Sequence, residues 1–304
     1  MDAPNITLFS TPLISTWVFD ETHRVLFDVG DGVTALLDSR IHKIRLACLT
    51  HTHRDHCAGL MQLLNLRGGA GDFATIYPEG SGSARAFANF LSAFDSRSTA
   101  FVKWAPIKPG DQFPIEPPRH FLRPFETSHY PNIEPARVLS LGYHLIRTVD
   151  KIKKEFRSLS QDELDILRRE RGKASLLETI EDTLLTVTGD TMPLHPDTYR
   201  GTRALMHECT FLDVDERCDN ENRGHPHSCL QEVLELAIEA KVGRLGLYHI
   251  SRRYEDEHIL GRVKELCNKL QVSFPVSVAL PGRIYENFFS QTVHDGNNAE
   301  DIPE

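Results

Sequence analysis

Short apolar runs alternate with helix-like patterns along nearly the whole chain. Apolar runs predict strands at Val25–Asp28 and Ile44–Leu49, and further strands near Leu184–Thr188, Ala204–His207 and Arg244–His249. Apolar positions at helical spacing predict helices over His56–Leu66, Ala84–Phe94 and Glu257–Leu270. No internal repeat is visible. This alternation is typical of an α/β protein that folds as one domain.

One predicted helix carries clear signals at both ends. Ser228 can serve as its N-cap, and Gln231 three residues later completes a capping box. Gly243 is expected to end it. Between them lies an apolar stripe at helical spacing: Leu230, Val233, Leu234, Ala237 and Ile238.

The composition is that of a globular protein, with 304 residues of which 40% are hydrophobic and 25% charged. No run approaches the ~18 apolar residues of a membrane span, and no secretory signal is visible at the start. Disordered, collagenous and membrane classes are therefore excluded. The six cysteines lack a Cys-x-x-Cys pair, which favours thiols of a reducing cytosol and predicts a cytoplasmic protein. They are Cys48, Cys57, Cys209, Cys218, Cys229 and Cys267.

Charge is distributed unevenly along the chain. The net charge of −9 argues against a protein that wraps nucleic acid with a basic surface. Residues 147–173 nevertheless carry nine Lys/Arg against six Asp/Glu, which gives +3 and leaves −12 for the remainder. Such a run is most often a solvated helix face. Residues 290–304 are polar, acidic and without periodicity, so we expect a disordered tail after a folded domain of residues 1–289.

The segment LACLTHTHRDHCAG places four possible metal ligands at the end of a predicted strand: His51, His53, Asp55 and His56. Alternate side chains of an extended chain point to the same side, which groups the first two histidines. The turn into the next helix would direct Asp55 and His56 toward a second position nearby. Imidazole and carboxylate donors favour zinc or a similar ion, so the segment predicts a two-ion site. The alternative is a solvated turn that is rich in histidine by chance.

The pattern His-x-His-x-Asp-His, followed by Gly59, resembles the signature of the metallo-β-lactamase superfamily. The resemblance implies an α/β fold, a four-layer αββα sandwich with a metal site on one edge of the paired sheets and residues 147–175 as a small inserted basic arm. It also implies three further ligands, which are His129, Asp190 and His249. Asp190 is the expected bridge, because a carboxylate can give one oxygen to each ion. Either histidine alone would more often be a hydrogen-bonded structural residue.

Shorter motifs are similar to ribonuclease Z, a tRNA 3′-processing endoribonuclease: MHECTFLD (206–213), RGHPHS (223–228) and YHISRRY (248–254). The stretch from SLGYHLIRT to TGDT resembles the short ribonuclease Z proteins, including the plant type. The resemblance implies that Glu208 and His227 handle protons and that Arg253 contacts phosphate. It implies that the arm grips tRNA away from the cut as an exosite, with four candidates: Lys151, Lys153, Lys154 and Arg157.

Structural roles for the same residues remain open. Glu208 could bond a helix N-terminus, Arg253 could be a surface charge, and His225 and His227 flank Pro226 in a loop that could be solvated. His227 is the preferred proton carrier because it directly precedes Ser228, as in the family motif.

The resemblance further implies two Zn²⁺ per subunit, with Mn²⁺ or another divalent ion as alternatives. One ion would be held by His51, His53 and His129 and the other by Asp55, His56 and His249, with Asp190 shared. A metal-bridged hydroxide, positioned by Asp55, would attack the phosphodiester of precursor tRNA and remove the 3′ trailer, leaving a 3′-hydroxyl. His227 would protonate the leaving oxygen. Partners expected on this basis are precursor tRNA and a second copy of the chain in a homodimer, and no membrane.

Some features depart from the family pattern and leave a second function open. The opening ITLFSTPLIS lacks a Gly-rich loop, HPHS is followed by Cys229, and the arm is not rich in Gly or Pro. The nearest alternative is therefore a two-metal phosphodiesterase on a small substrate such as a cyclic nucleotide. Lactamase, thioesterase and dioxygenase activities would leave Glu208, His227 and Arg253 without a role. A metal-free binding protein is disfavoured because all seven ligand positions are filled.

Overall fold

Two β-sheets form the centre of the protein, which is described by a computed structural model over residues 3–67, 72–130, 138–216 and 227–296. The first sheet has seven strands in the order β14 (Ile284–Tyr285), β1 (Ile6–Thr11), β2 (Ser15–Asp20), β3 (Val25–Phe27), β4 (Leu46–Cys48), β5 (Phe73–Pro78) and β6 (Val102–Ile107). The second has eight in the order β15 (Thr292–His294), β13 (Val276–Val278), β12 (Leu245–Tyr248), β11 (Leu205–Glu208), β10 (Leu177–Val187), β9 (Leu141–Ile152), β8 (His120–Glu126) and β7 (Phe113–Ile115).

Helices lie in the connections between the strands. Within the described residues they are α1 (Val33–Leu37), α2 (Arg54–Cys57), α3 (Leu60–Arg67), α4 (Gly82–Phe94), α5 (Ser96–Thr99), α6 (Gln161–Arg171), α7 (Leu230–Ala240) and α8 (Asp256–Lys269). Short 3₁₀ helices are also present in the described residues, at Asp38–Lys43, Lys154–Phe156, Lys173–Leu176, Pro196–Tyr199 and Phe288–Ser290.

Three apolar cores show that the elements stack in four layers. The central core joins the facing sides of the two sheets, for example Leu8 and Phe27 of one with Tyr143 and Val187 of the other. A second core packs the outer side of the first sheet against α1, α3 and α4. A third packs α7 and α8 on the outer side of the second sheet. The predicted αββα sandwich is confirmed, and burial of apolar side chains on both faces of each sheet holds it together.

Strand direction determines where the chemistry lies. In the first sheet β3, β4, β5 and β6 are parallel, and in the second β10, β11, β12 and β13 are parallel. Strand β8 points the same way as β10, because both are antiparallel to β9. Loops after the carboxyl ends of such strands converge at one edge, where α/β proteins place their ligands.

The predicted helix His56–Leu66 is wrong in its extent. The chain forms two helices, α2 and α3, with a break at Gly59. A Cβ at Gly59 would lie 2.2 Å from the carbonyl oxygen of Gly30, so a larger residue would displace the backbone. The close approach explains the glycine of the motif, and sequence periodicity does not detect it because Gly30 lies in another loop.

The predicted N-terminus of α7 is wrong by one residue. Cys229 is the N-cap and Glu232, rather than Gln231, closes the capping box. Ser228 is used elsewhere, because its amide donates to Glu208 Oε1 at 3.0 Å and its hydroxyl donates to the Thr191 carbonyl at 2.7 Å. The residue expected to begin the helix therefore ties the loop before it to the interior.

The predicted end of α7 also differs. Lys241, in the left-handed conformation, ends the helix before Gly243 is reached. The stripe from Leu230 to Ala237 is buried, as expected, but Ile238 is 37% exposed and lies outside it. The last turn of the helix is packed on the core through Ala240 instead.

The expectation of disorder from Ser290 onward is wrong for the first residues of that segment. Strand β15 pairs with β13 at the edge of the second sheet. His294 Nε2 lies 2.8 Å from the Val272 carbonyl oxygen. The folded part thus extends past residue 289, and residues 297–304 lie outside the described ranges.

The basic arm is an extension of the second sheet. Strands β9 and β10 pair from Tyr143↔Val187 to Ile152↔Leu177, and α6 spans the connection between them. Helix α6 begins with a full capping box from Ser160 and Glu163, which makes the arm an ordered element rather than a loose loop.

Among the described helices, none is long and apolar enough to cross a membrane.

Candidate metal centre and active site

Three histidines predicted as ligands of one ion meet at the carboxyl edge of the sheets. His51 and His53 follow β4, and His129 follows β8. His53 Nδ1 lies 3.1 Å from His51 Nε2 and 3.2 Å from His129 Nε2. His51 and His129 are fully buried, so their ring nitrogens are withdrawn from bulk water.

The second predicted group is assembled from two sheets. Asp55 and His56 lie in α2, and His249 follows β12. Asp55 Oδ2 is 3.6 Å from His56 Nε2 and 3.7 Å from His249 Nε2. His249 has φ of +60°, an uncommon conformation for a residue other than glycine, and its amide donates to Ser10 Oγ at 3.0 Å.

Asp190, after β10, lies between the two groups. Its Oδ2 is 3.3 Å from His56 Nε2, 3.6 Å from His51 Nε2 and 3.8 Å from His129 Nε2. Its Oδ1 is 3.4 Å from His249 Nε2. One carboxylate therefore faces both groups, which is the position that a bridging ligand requires. We call the seven side chains the donor cluster: His51, His53, Asp55, His56, His129, Asp190 and His249.

The donor cluster fits divalent metal ions on two grounds. First, Nε2 of His56, Nε2 of His249 and Oδ1 of Asp190 are buried without a hydrogen-bond partner, which is costly unless something binds them. Second, ligand atoms about 2.1 Å from a tetrahedral ion stand roughly 3.4 Å apart, close to the separations found here. Nitrogen and carboxylate oxygen donors suit zinc or a similar first-row ion.

The neighbouring histidines keep both carboxylates of the cluster ionised against the effect of burial. Burial would raise the pKa of Asp190, but His249 and His56 outweigh it and hold that pKa well below its ordinary value. Burial likewise opposes ionisation of Asp55, yet His249 and His56 lower its pKa to about 2. Anionic oxygens are therefore ready to meet a cation at neutral pH.

Asp28 orients two of the histidines and was not predicted from the sequence. It follows β3, is buried, and lies 2.7 Å from His56 Nδ1. It accepts hydrogen bonds from the amide and hydroxyl of Thr50, whose hydroxyl also lies 2.9 Å from His51 Nδ1. Bonding at Nδ1 turns Nε2 toward the cluster. The sequence did contain one signal for Asp28, which is an acidic residue at the end of a predicted strand.

A second buried carboxylate supports the other side of the cluster. Glu208 ends β11 and accepts hydrogen bonds from the amide and hydroxyl of Thr210, each at 2.9 Å, and from the Thr191 amide at 3.2 Å. The Thr210 hydroxyl also lies 3.1 Å from His249 Nδ1. Thr210, missed from the sequence, thus links Glu208 to a member of the donor cluster.

Glu208 and His227, predicted to act together, are in direct contact. Glu208 Oε1 lies 3.0 Å from His227 Nδ1. Burial disfavours a charged imidazole, but Glu208 outweighs that effect and raises the pKa of His227 to about 9. His227 stacks on His249 with ring centroids 5.4 Å apart, so a protonated imidazole stands directly beside the donor cluster. His225 lies outside the described residues.

Arg253 lies at the rim of the site. Its guanidinium carbon is 5.3 Å from the centre of the Phe211 ring, and that ring is 6.3 Å from the His227 ring. The side chain is exposed, and its Nε donates to Ser251 Oγ at 3.2 Å. Tyr130, another residue missed from the sequence, borders the opposite side, with its ring 4.9 Å from that of His129.

The four exosite candidates lie apart from the donor cluster, along the base of the arm. Lys151 and Lys154 are exposed and Lys153 is half-buried at the end of β9 and the turn after it. Arg157 is engaged within the arm, since it pairs with Glu178 at 2.9 Å and donates to the Ile152 carbonyl. Its charge is therefore partly neutralised before any ligand arrives.

Asp28→Asn is expected to weaken metal binding about 10- to 100-fold, because an outer carboxylate that orients a histidine typically contributes that much. The loss of zinc affinity is measured by titrating zinc into protein from which a chelator has removed all metal. Asp20→Asn is the matched control, since Asp20 is also buried and lies 2.7 Å from a histidine, His23, that is outside the cluster. Unchanged zinc affinity in a folded Asp28→Asn protein would contradict the assigned role.

Comparison with known proteins agrees with this architecture. A family profile described as a beta-lactamase superfamily domain matches residues 23–152. Ribonuclease Z from Saccharolobus solfataricus is 29% identical over 259 residues, which cover 78% of this chain and 82% of that protein. A metallo-beta-lactamase fold protein from Bacillus subtilis superposes with a TM-score of 0.60 at 16% identity, over 94% of this chain and 100% of the other. The short form of human tRNase Z gives 0.58 at 17% identity, over 92% and 98%.

The class of protein that the chain resembles is defined by its fold and by the family profile: the four layers form a metallo-β-lactamase fold, and residues 23–152 are similar to a beta-lactamase superfamily domain. In sequence the chain is similar to ribonuclease Z, as its motifs indicated. The structural likenesses support the fold, and the likeness in sequence to the archaeal enzyme supports the closer relationship.

Proposed function

We propose that the protein is a metal-dependent endoribonuclease that removes the 3′ trailer of precursor tRNA and leaves a 3′-hydroxyl. The observation that carries the proposal is the Glu208–His227 pair beside the donor cluster, because a two-ion site alone serves many hydrolases. The similarity to ribonuclease Z supplies the substrate class.

In this proposal the donor cluster holds two divalent ions, zinc being the expected one. His51, His53 and His129 would hold the first and Asp55, His56 and His249 the second, with Asp190 shared. The ions would supply an activated water at neutral pH and neutralise charge on the phosphoryl oxygens.

Asp55 is the residue proposed to position the attacking water and to take its proton. Its Oδ2 accepts a hydrogen bond from the Leu13 amide at 2.9 Å, which holds the carboxylate at the mouth of the site. The side chain is less deeply enclosed than Asp190, so it can touch both the cluster and an incoming substrate. Its low pKa keeps it ionised at neutral pH, so that the carboxylate can accept a hydrogen bond from the attacking water.

His227 is proposed to donate a proton to the ribose 3′ oxygen as it leaves. Glu208 holds the imidazole at Nδ1, which leaves Nε2 to face the substrate, and it favours the charged form that a general acid needs. Arg253, exposed at the rim, is proposed to contact a phosphate, because a guanidinium fork matches phosphate oxygens.

Recognition of tRNA is proposed to rest on the basic arm rather than on overall charge, since the chain carries −9. Lys151, Lys153 and Lys154 form no ion pair within the described residues, so they are available to phosphates. Contacts to phosphate make binding salt-dependent and read the shape of a folded RNA rather than its sequence.

The triple variant Lys151→Ala/Lys153→Ala/Lys154→Ala is expected to lose at least about tenfold in kcat/KM on a 3′-extended precursor tRNA, through loss of phosphate contacts. Its hydrolysis of bis(nitrophenyl) phosphate should be unchanged, because the small diester does not reach the arm. Cleavage assays on both substrates measure this. Arg97→Gln, a charge change on α5, is the control and should leave both activities at the wild-type level.

Two results would contradict the proposal. If wild-type protein cuts only the small diester and the triple variant matches it, the tRNA claim is wrong and the small-substrate phosphodiesterase replaces it. The proposed homodimer is tested by mixing the triple variant with Asp190→Asn. If one subunit's arm presents tRNA to the other's site, the mixture is more active on precursor tRNA than the two variants assayed separately and summed, and no gain on mixing contradicts an arm that acts across subunits.

A further inference from the structure

Arginines precede four parallel strands of the sandwich. Arg24 and Arg45 directly precede β3 and β4, and Arg244 directly precedes β12, while Arg203 stands two residues before β11. The donor cluster follows the carboxyl ends of such strands, so these arginines lie at the opposite edge. Strands of three or four residues rising ~3.3 Å each separate the two edges by about 10 Å or more.

Two neighbouring cavities open at this edge. The larger, of 1040 Å³, is lined by Arg24, Arg45 and Lys103 together with Phe73, Phe113 and Ile115. The smaller, of 560 Å³, is lined by Arg147, Arg203 and Arg244. Thr22, His23 and Pro117 border both cavities, so they are two parts of one depression. We call it the amino-edge groove.

Positive charge in the amino-edge groove exceeds the negative charge that could balance it. Asp182 alone pairs with both Arg147 and Arg203, each at 2.6 Å. In the larger part Lys103 lies 3.8 Å from Asp72, and Glu116 is the other acidic lining residue.

Arg244 is the most informative of these residues. It is half-buried with its guanidinium carbon 5.8 Å from the centre of the Phe289 ring, and no carboxylate of the described residues pairs with it. Burial lowers its pKa, and no acidic side chain among the described residues offsets that effect. An unpaired, partly buried cation is costly, and a bound anion would offset the cost.

We propose that the amino-edge groove binds a phosphorylated ligand with an aromatic body, the chemistry of a nucleotide. Arginine forks suit phosphate oxygens, which places the phosphates in the smaller part beside Arg244, since one side of the Arg203 guanidinium already binds both oxygens of Asp182. In the larger part, the apolar side chains of Phe113 and Ile115 can pack against a planar base. This site is separate from the donor cluster, and it stands whether or not the protein cleaves tRNA.

Calorimetric titration of metal-loaded protein with ADP, pyrophosphate and adenosine tests the site. We expect ADP to bind more tightly than either fragment, and Arg244→Gln to weaken ADP binding at least about tenfold. Arg97→Gln, outside the groove, is the control and should bind as wild type. Hydrolysis of bis(nitrophenyl) phosphate should be equal in all three proteins, because the groove is remote from the donor cluster.

ADP that binds at the metal centre would do so equally in both variants, so the difference between them reports the groove alone. Arg45→Gln gives a second test at an exposed residue whose loss should not disturb folding, and it should also weaken ADP binding. Equal ADP affinity in wild type, Arg244→Gln and Arg45→Gln overturns the proposal, as does the absence of ADP binding to wild type. Pyrophosphate binding as tightly as ADP overturns the aromatic part.

Discussion

Asp190→Asn is expected to lower hydrolysis of every phosphodiester by at least about a thousandfold. Asp190 is the one carboxylate that faces both groups of histidines, through distances of 3.3 to 3.8 Å to four rings. An asparagine keeps the shape but removes the charge and one oxygen donor. Loss of an ion from a two-ion site removes several kcal/mol of charge stabilisation, and each ~1.4 kcal/mol is tenfold in rate.

Metal content separates this explanation from a general loss of structure. Elemental analysis should find about two ions per chain in wild type and at most one in Asp190→Asn, while circular dichroism of the two remains the same. Asp197→Asn is the control, since Asp197 is exposed in the same loop after β10 and pairs with Arg200. Asp190→Asn protein that retains both ions and works within about threefold of wild type would refute the bridging role.

His227→Ala is expected to slow cleavage of precursor tRNA by about a hundredfold to a thousandfold, within the usual contribution of a general acid. The leaving ribose oxygen needs a proton, whereas nitrophenolate leaves without one. The same variant should therefore slow hydrolysis of bis(nitrophenyl) phosphate by less than about tenfold. The ratio of the two activities is the measurement, and Glu208→Gln should shift it in the same direction by a smaller factor.

The comparison of substrates also tests another role for His227. Its ring lies near Asp190 and His249, close enough to serve as a metal ligand instead. A ligand role predicts that both substrates are affected equally and that metal content falls. His195→Ala, an exposed histidine after β10, is the control and should change neither activity.

Much of the donor cluster could be predicted because its signature is local. Four of its residues lie within His51–His56, directly after a buried strand. Three histidines and an aspartate so close together are typical of a metal site and have few other functions in proteins. The remaining three were implied by the resemblance to the metallo-β-lactamase superfamily, and a strand had been predicted at or just before two of them, Asp190 and His249. Parallel strands bring such positions to one edge, which explains why residues so far apart in sequence meet.

The residues that orient the cluster could not be predicted in the same way. Asp28 and His56 are 28 positions apart, and Thr210 and His249 are 39 apart. The Ser10 hydroxyl that holds the His249 amide is 239 positions away. No local period links such pairs, and a buried aspartate reads from sequence as an ordinary strand end.

Predictions of helix ends from local sequence were wrong where a segment distant in sequence contacts the helix end. The helix after His56 breaks at Gly59 because the Gly30 loop lies against it, and Ser228 yields its capping role because Glu208 and Thr191 engage it. The sequence by itself determined the α/β class, which follows from short-range pattern, and through its resemblance to a known family it determined the residues of the donor cluster. Only the tertiary structure decided which residues orient those donors and which arginines share a groove, because both depend on how two sheets pack face to face.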